Sequence, residues 1–281
     1  MTVLGPGGRG VVVASPDPKT AAFDRLTLRA AGIEAATAGD LGLSLPDPPE
    51  MLEERASRWS VLTRRPTVVR EGDRLAVGRP DGRVATSEPP TLSSDMVLGG
   101  GRPPARVAVF GGAWTAESEP DYADARGFGA RMAREAVQVV CGGYGGVMEA
   151  VALGVGEEGG TSVGVAIRAW ADRVTPNRWL THRADAASLL ARYPVILDAD
   201  AWVAFPGGVG TLAEVALCWN LMQLSVPPRP LLVIGERWER LLEAFRRDLI
   251  VRDPADLHLV RAASAEEAAG AVASLAQSEP A

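Results

Sequence analysis

The pattern of hydrophobic and polar positions changes near residue 105. From Arg106 onward, short apolar runs typical of buried strands alternate with longer amphipathic stretches typical of helices. The apolar runs are RVAVFGG (106–112), VQVVCGG (137–143), TSVGVAI (161–167), AWVAF (201–205) and PLLVIG (230–235). Strands that alternate with helices predict a mostly parallel sheet covered by helices on both faces.

The first hundred residues follow a different pattern. GVVVAS (10–15) and IEAATAG (33–39) are typical of short strands, and helices are expected over 18–32 and near MLEERASRW (51–59). Residues 66–86 alternate apolar and polar side chains around EGD and PDG turns, which predicts a β-meander. Residues 87–105 have linker composition. We therefore expect a smaller N-terminal α/β module over 1–104, without a chemical motif, and a ligand-binding domain over 105–281.

Composition excludes several classes of function. The chain has 281 residues and 47% apolar content, and its 29 basic and 35 acidic side chains give a net charge of −6. No overall field therefore favours nucleic acid or an acidic membrane as a partner. Only Cys141 and Cys218 are present, in different expected elements, and the histidines are His182 and His258, which argues against a disulfide framework and a structural zinc site. Without a signal core or membrane-length apolar run, we expect a soluble cytoplasmic protein.

Three of the expected strands end in glycine turns. These turns contain Gly111 and Gly112; Gly142, Gly143, Gly145 and Gly146; and Gly207, Gly208, Gly210 and Thr211. In open parallel sheets, ligands bind beyond the carboxyl ends of the strands, and a helix N-terminus offers unpaired N–H groups to phosphate. Thr211 either donates its hydroxyl or caps the helix. Each turn alone has an ordinary alternative, a tight strand-to-helix connection, but three together favour a phosphorylated ligand.

The same residues carry a family resemblance. GGYGGVMEAVALGV followed by PGGVGTLAE resembles the LONELY GUY family, formerly "lysine decarboxylase-like", over roughly residues 106–250. The resemblance implies a Rossmann-like sheet and a homodimer or higher homo-oligomer. It also implies a cytokinin-activating phosphoribohydrolase, which cleaves a nucleoside 5′-monophosphate to free base and ribose 5-phosphate. No metal or other cofactor is required for that chemistry.

Two departures from that family indicate an alternative. Ala113 and Trp114 stand where the family has a serine pair, and Glu149 stands where it has a small glycine. GGVMEAV is instead similar to the molybdenum-cofactor carrier proteins. The alternative function is therefore a non-catalytic carrier or sensor that binds a nucleotide or the molybdenum cofactor.

Catalytic candidates follow from the resemblance. Glu214 matches the family's catalytic glutamate and is expected in the first helical turn after Thr211, at the mouth of the pocket. A carboxylate there would stabilise an oxocarbenium-like ribose, although acidic residues in first turns also serve helix stability alone. Arg192 matches the family's partner arginine, with Arg183 in reserve. A solvated helix arginine is the other interpretation of Arg192.

Three further side chains are candidates near the turns. Trp114 stacks on a base or packs against its own domain. Glu149 is either a second site carboxylate or a partner of the helix dipole, and Tyr122 is expected to be structural.

Overall fold

The computed structural model describes residues 11–16, 21, 28, 35–46, 50–72, 74–87, 104–224, 229–250 and 260–277. The chain divides into two compact units. The first contains Met1–Pro104, Val165–Asp172 and His182–Asp198, and the second contains Ala105–Gly164, Arg173–Thr181 and Ala199–Ala281. Of the helix expected over 18–32, only Ala21 and Leu28 are described, and both are helical. Most of the expected linker, and His258, lie outside the described residues.

The described residues of the N-terminal part of the first unit include a five-stranded sheet and the helix Leu52–Thr63. Its elements are β1 (Val11–Val13), β2 (Ala35–Thr37), β3 (Leu43–Ser44), α1 (Leu52–Thr63), β4 (Thr67–Glu71), β5 (Arg74–Gly78) and β6 (Val84–Ser87). The sheet has the order β2-β1-β4-β5-β6, in which β1 is parallel to β2 and β4. Antiparallel pairing of β4, β5 and β6 confirms the predicted meander.

After residue 104, strands and helices alternate. The elements are β7 (Arg106–Phe110), α2 (Pro120–Arg134), β8 (Gln138–Cys141), α3 (Val147–Glu157), β9 (Ser162–Ile167), β10 (His182–Ala186), α4 (Tyr193–Ile196), β11 (Ala201–Ala204), α5 (Val209–Leu224), β12 (Leu231–Ile234), α6 (Glu236–Asp248), β13 (Val260–Ala262) and α7 (Ala265–Gln277). A single 3₁₀ turn, Arg168–Trp170, follows β9.

The strands of the second unit confirm the predicted fold class. They pair in the order β13-β12-β11-β7-β8-β9, and every neighbouring pair is parallel. Helices α2, α3 and α7 supply side chains to a buried cluster together with strand residues such as Val107 and Val203. Three strands of the described structure were not predicted: β3, β10 and β13. β10 pairs antiparallel with β3 inside the first unit. Its sequence, HRADA, lacks the continuous apolar run by which the other strands were predicted.

Glycines set the close approach of α2 and α3. A Cβ at Gly129 would overlap the carbonyl oxygen of Val151, and a Cβ at Gly154 would overlap that of Arg126. Backbone contact of this kind leaves little freedom for the helices to shift. The N-terminus of α3, and with it the glycine turn that opens this helix, is therefore held in place beside the sheet.

Neither a spanning helix nor a metal cluster is found in the described part of the chain. No helix there is long and apolar enough to cross a membrane. The same residues contain no group of three or more histidine, cysteine, aspartate or glutamate side chains placed to hold a metal ion. Cys141 and Cys218 are both buried and do not form a disulfide.

Candidate functional site

The turns after β7 and β11 lie side by side. Because the two strands are parallel neighbours in the sheet, their carboxyl ends meet at one edge. The Phe205 N–H donates to the Phe110 carbonyl oxygen at 2.9 Å, and the Gly112 N–H donates to the Pro206 carbonyl oxygen at 3.0 Å. Backbone hydrogen bonds thus join the first and third glycine turns directly.

The second glycine turn joins the same cluster. The Val147 N–H, at the start of α3, donates to the Gly112 carbonyl oxygen at 3.0 Å. Gly146, just before it, has a φ of +64°, and a Cβ there would overlap that same carbonyl oxygen. All three turns therefore meet around Gly112, which accepts a hydrogen bond from one turn and donates one to another.

Packing accounts for several of these glycines. A Cβ at Gly111 would overlap the Val147 side chain, and a Cβ at Gly207 would overlap the Thr211 side chain. Gly143 has a φ of +79°, a conformation that side-chain-bearing residues rarely adopt. The protein's own structure is a sufficient reason for glycine at these positions.

Gly208 and Gly210 are different, because nothing in the described structure requires a glycine there. Both are exposed, neither has a positive φ, and a Cβ at either position would meet no described heavy atom within 4 Å. They flank Val209, the first residue of α5, where the N–H groups have no intrahelical acceptor. Bare backbone and open space therefore coincide at the N-terminus of a long helix, which is the arrangement that suits an anion.

Helix α5 begins earlier than the sequence pattern predicted. The Leu212 N–H donates to the Gly208 carbonyl oxygen at 3.0 Å, so the helix begins at Val209, directly after Gly208, and includes Gly210. Glu214 consequently lies in the second turn of the helix and is only 7% exposed. The expectation of a carboxylate in the first helical turn was wrong, because hydrogen bonding extends the helix through residues of low helix propensity.

Thr211, Glu214 and Cys218 share one buried face of α5. Residues three and four apart lie above one another on a helix, and all three side chains are buried. Burial raises the pKa of the Cys218 thiol, and the nearby negative charge of Glu214 raises it further. Cys218 was not a candidate from sequence, although its spacing of four residues from Glu214 places it on that face.

Trp114 stands on the turn after β7 with its side chain in solvent. The residue is 89% exposed, so the interpretation that it packs against its own domain is wrong. Its neighbours in the chain do contact the turns. The Ala113 carbonyl oxygen would lie 3.2 Å from a Cβ at Gly145, and the Thr115 hydroxyl oxygen 2.8 Å from a Cβ at Gly112. The large, flat and exposed indole ring of Trp114 is therefore attached to a segment that contacts the glycine turns.

Glu149 and Tyr122 lie together beside the second turn. Glu149 is in the first turn of α3, and its Oε2 would be 3.7 Å from a Cβ at Gly145. Burial raises the pKa of the Tyr122 hydroxyl, and the negative charges of Glu149 and Glu117 raise it further. Glu149 therefore adds negative charge near Gly145, whereas no described carboxylate oxygen lies within 4 Å of a Cβ built at Gly208 or Gly210.

The two candidate arginines belong to the first unit, whereas the glycine turns and Glu214 belong to the second. Arg192 precedes α4 and is 6% exposed, with its guanidinium carbon 5.8 Å from the centre of the Tyr193 ring. It is therefore not a solvated helix arginine. Arg183 lies in β10 and forms an ion pair with Asp185 at 2.9 Å.

Part of the chain matches a known protein family. Residues 104–227, which are less than half of the chain, match the model of the SLOG cluster4 family. The matched segment contains all three glycine turns, Trp114, Glu149 and Glu214. This match supports the SLOG superfamily as the group that the segment resembles, and it does not single out the LONELY GUY family. No curated protein matches the chain in sequence.

Solved structures resemble part of the chain. The molybdenum cofactor binding protein from Rippkaea orientalis is 21% identical, with a TM-score of 0.49 over 61% of this chain and 97% of that one. The molybdenum cofactor carrier protein from Chlamydomonas reinhardtii is 24% identical, with a TM-score of 0.47 over 61% of this chain and 98% of that one. DNA processing protein A from Streptococcus pneumoniae is 13% identical, with a TM-score of 0.41 over 63% of each chain.

Proposed function

We propose that this protein binds a nucleoside 5′-monophosphate on the glycine turns of the second unit and hydrolyses its N-glycosidic bond. The observation that carries the proposal is the pair Gly208 and Gly210, which are open and exposed at the start of α5 and which no described neighbour requires to be glycine. The absence of a side chain at both positions leaves the helix N-terminus accessible to a phosphate group.

The rest of the nucleotide has groups to contact near that position. Gly112, the second residue after β7, is hydrogen-bonded to the turn that precedes α5, and Trp114 extends into solvent two residues later. An exposed indole offers a flat apolar face on which a purine can stack. Phosphate at Gly208–Gly210 and base against Trp114 would place the ribose between them.

Glu214 supplies the carboxylate of the proposed reaction. Cleavage of an N-glycosidic bond passes through an oxocarbenium-like ribose, which a fixed negative charge stabilises. In a site shielded from water this attraction is stronger than in solution. Glu214 is the only acidic residue in PGGVGTLAE, the motif shared with the LONELY GUY family, and its burial supplies such an environment.

The first test asks where the phosphate binds. Gly208→Asp brings a negative charge to the residue that precedes α5, where aspartate is also a favourable helix cap. We expect AMP binding, measured by calorimetry, to be lost while the thermal midpoint stays the same or rises. Gly127→Asp, at an exposed and open glycine on α2, is the matched control and should bind AMP normally. Normal AMP binding by Gly208→Asp would refute this placement.

The second test asks whether the nucleotide is hydrolysed. Purified protein is incubated with a panel of nucleoside 5′-monophosphates, and the released base is measured. Glu214→Gln should lower release by orders of magnitude while AMP affinity stays within a few fold, because a charge that acts in the transition state is removed. Glu236→Gln changes an 89% exposed glutamate of the same unit and should have no effect.

A non-catalytic carrier or sensor is the second candidate, and two observations favour it. Ala113 and Trp114 replace the serine pair of the LONELY GUY family, and Glu149 adds a carboxylate beside the second turn. A carrier needs the glycine turns but no reaction at Glu214. Tight binding of a phosphorylated pterin, with no base released from any nucleotide of the panel, would establish the carrier and reject the hydrolase.

The resemblance also leads us to propose a homodimer or a higher homo-oligomer. Helix α5 carries apolar residues nearly all round, with Ala213 and Ala216 among its exposed positions. Light scattering coupled to size-exclusion chromatography would measure the mass of the assembly, and a mass equal to one chain would reject this proposal.

A further inference from the structure

We infer that the first unit contains a second ligand site, which takes a small organic molecule with an apolar body and one carboxylate. A cavity of about 410 Å³ is present there, and all the described residues that line it belong to this unit. It is lined by Val13, Ala14 and Ser15 at the end of β1 and by Thr37 and Ala38 at the end of β2. These strands are parallel neighbours, and ligands of parallel sheets bind beyond such carboxyl ends.

The walls of this cavity are mainly apolar. Val13, Leu43, Leu45 and Trp59 all line it, and Trp59 is only 5% exposed. The volume falls within the range of about 300–1,000 Å³ that is usual for ligand pockets. Pro16 and Gly39 also line the cavity and are exposed, so its rim is open to solvent. A molecule with one or two rings, or a short alkyl chain, would fit.

Arg55 gives the cavity its charge preference. It is a lining residue, and its side chain is 13% exposed. Its Nη1 lies 3.8 Å from Oε2 of Glu71, which is 56% exposed and therefore well hydrated. A planar guanidinium binds a carboxylate through two parallel hydrogen bonds. The Ser15 hydroxyl, which accepts from the Arg70 N–H at 2.8 Å, is a further donor at the cavity wall.

The structure holds these groups in place. A Cβ at Gly78 would overlap the Ala56 carbonyl oxygen, so α1 lies directly against β5. The Ser60 hydroxyl, on the same helix, contacts the Arg79 carbonyl oxygen at 3.0 Å. Arg55 and Trp59 are therefore carried on a firmly seated helix, and a preformed site loses less entropy on binding.

The lining favours a carboxylate over a phosphate. A phosphate has three oxygen atoms to satisfy and binds best where several donors converge. Here Arg55 is the one charged side chain among the described lining residues, so a second negative charge would have no cationic partner there. The hydroxyls of Ser15, Thr37 and Ser44 are neutral, and that of Ser44 already donates to the Asp185 carbonyl oxygen. This chemistry differs from that of the glycine turns, so the inference does not depend on the proposed function.

Calorimetry of the full-length protein tests the site with four probes: benzoate, phenylacetate, 2-naphthoate and octanoate. The best of these acids should bind with one-to-one stoichiometry, and its neutral primary amide should bind at least about ten-fold more weakly. Arg55→Gln should weaken binding of the acid by about ten- to hundred-fold. Arg58→Gln, which removes an exposed arginine of the same helix, should not change it.

A second variant tests the site in case Arg55→Gln fails to fold. Ala38→Leu fills the cavity but keeps Arg55, and it should also abolish binding of the acid while the thermal midpoint of unfolding stays close to that of the wild type. The inference is overturned if none of the four acids binds at millimolar concentration. It is equally overturned if acid and amide bind alike, or if binding survives both Arg55→Gln and Ala38→Leu.

Discussion

At the residue scale, the glycines of the three turns have two separate reasons to be glycine. Gly111, Gly146 and Gly207 make room for neighbouring protein atoms, whereas Gly208 and Gly210 face open space. The sequence shows the same amino acid in both cases. Only the surroundings of each Cβ position distinguish a glycine needed for packing from one that leaves room for a ligand, and substitutions can separate the two.

Alanine at Gly207 and at Gly210 should have opposite effects on stability. At Gly207 the added Cβ overlaps the buried Thr211 side chain, so we expect a loss of about 1–3 kcal/mol in the free energy of unfolding. At Gly210 the Cβ meets open space inside a helix, so we expect a gain of about 0.5–1 kcal/mol. Urea denaturation measures both. A destabilised Gly210→Ala protein would contradict this division of the glycines.

Cys218 should make the protein sensitive to alkaline pH. Burial and Glu214 raise the pKa of its thiol in the folded state above the ordinary value of 9.0. Above about pH 9 the unfolded thiol therefore loses its proton while the folded thiol keeps it, and the free energy of unfolding falls as pH rises. The slope from one such group approaches about 1.4 kcal/mol per pH unit.

Urea denaturation at pH 8, 9 and 10 measures this slope, with Cys218→Ser as the variant that lacks the titrating thiol. The variant should lose less stability between pH 9 and pH 10 than the wild type. Tyr122, whose pKa is also raised, contributes the same sign in both proteins above pH 10. Identical slopes in the two proteins would show that the Cys218 thiol does not control alkaline stability.

At the element scale, the crossing of α2 and α3 positions the second glycine turn. Gly129 and Gly154 let the two backbones touch, and Gly146 ends the turn immediately before α3 begins. A change in the crossing would therefore move the turn as well as the helix.

Gly129→Ala should destabilise the protein by about 1–3 kcal/mol, because its Cβ would overlap the Val151 backbone. AMP binding should weaken in parallel as α3 shifts. Gly127→Ala lies two residues earlier on the same helix, where it is exposed and meets no described atom within 4 Å, and it should stabilise the protein slightly. Thermal denaturation compares the two variants. Equal stability would show that the helices can separate without cost.

At the scale of the whole molecule, three separate segments of the chain form the first unit. Residues 165–172 and 182–198 belong to this unit together with residues 1–104. As a result, β10 pairs with β3, which lies far from it in the sequence. The glycine turns and Glu214, by contrast, all belong to the second unit.

Removal of residues 1–104 should therefore have a local effect. We expect the remaining chain to bind AMP within a few fold of the full-length protein, while protease cleavage concentrates in residues 182–198, which lose the rest of their unit. Limited proteolysis with mass spectrometry locates the cuts, and calorimetry measures binding. Cleavage spread across residues 105–164, or loss of AMP binding, would show that the second unit needs the first.

Most of the parallel sheet was predictable, because strands such as β7, β8 and β12 lie in apolar runs that are typical of strands buried on both faces. β10 was not, since HRADA alternates polar and small residues and becomes a strand through its pairing with β3. The start of α5 was also missed. Glycines have low helix propensity, and hydrogen bonding in the folded protein outweighed that preference.

The sequence alone determined the alternation of apolar strands with helices after residue 105 and the position of each glycine turn, because both depend on local runs of residues. Tertiary structure decided what depends on neighbours distant in the chain. The pairing of β7 with β11 brings Gly112 to Pro206. The folded surroundings of α5 leave Gly208 open and bury Glu214. The seating of α1 on the N-terminal sheet places Arg55 at a cavity for which the sequence shows no motif. Burial and open space are properties of packed surfaces, and those surfaces exist only once distant segments meet.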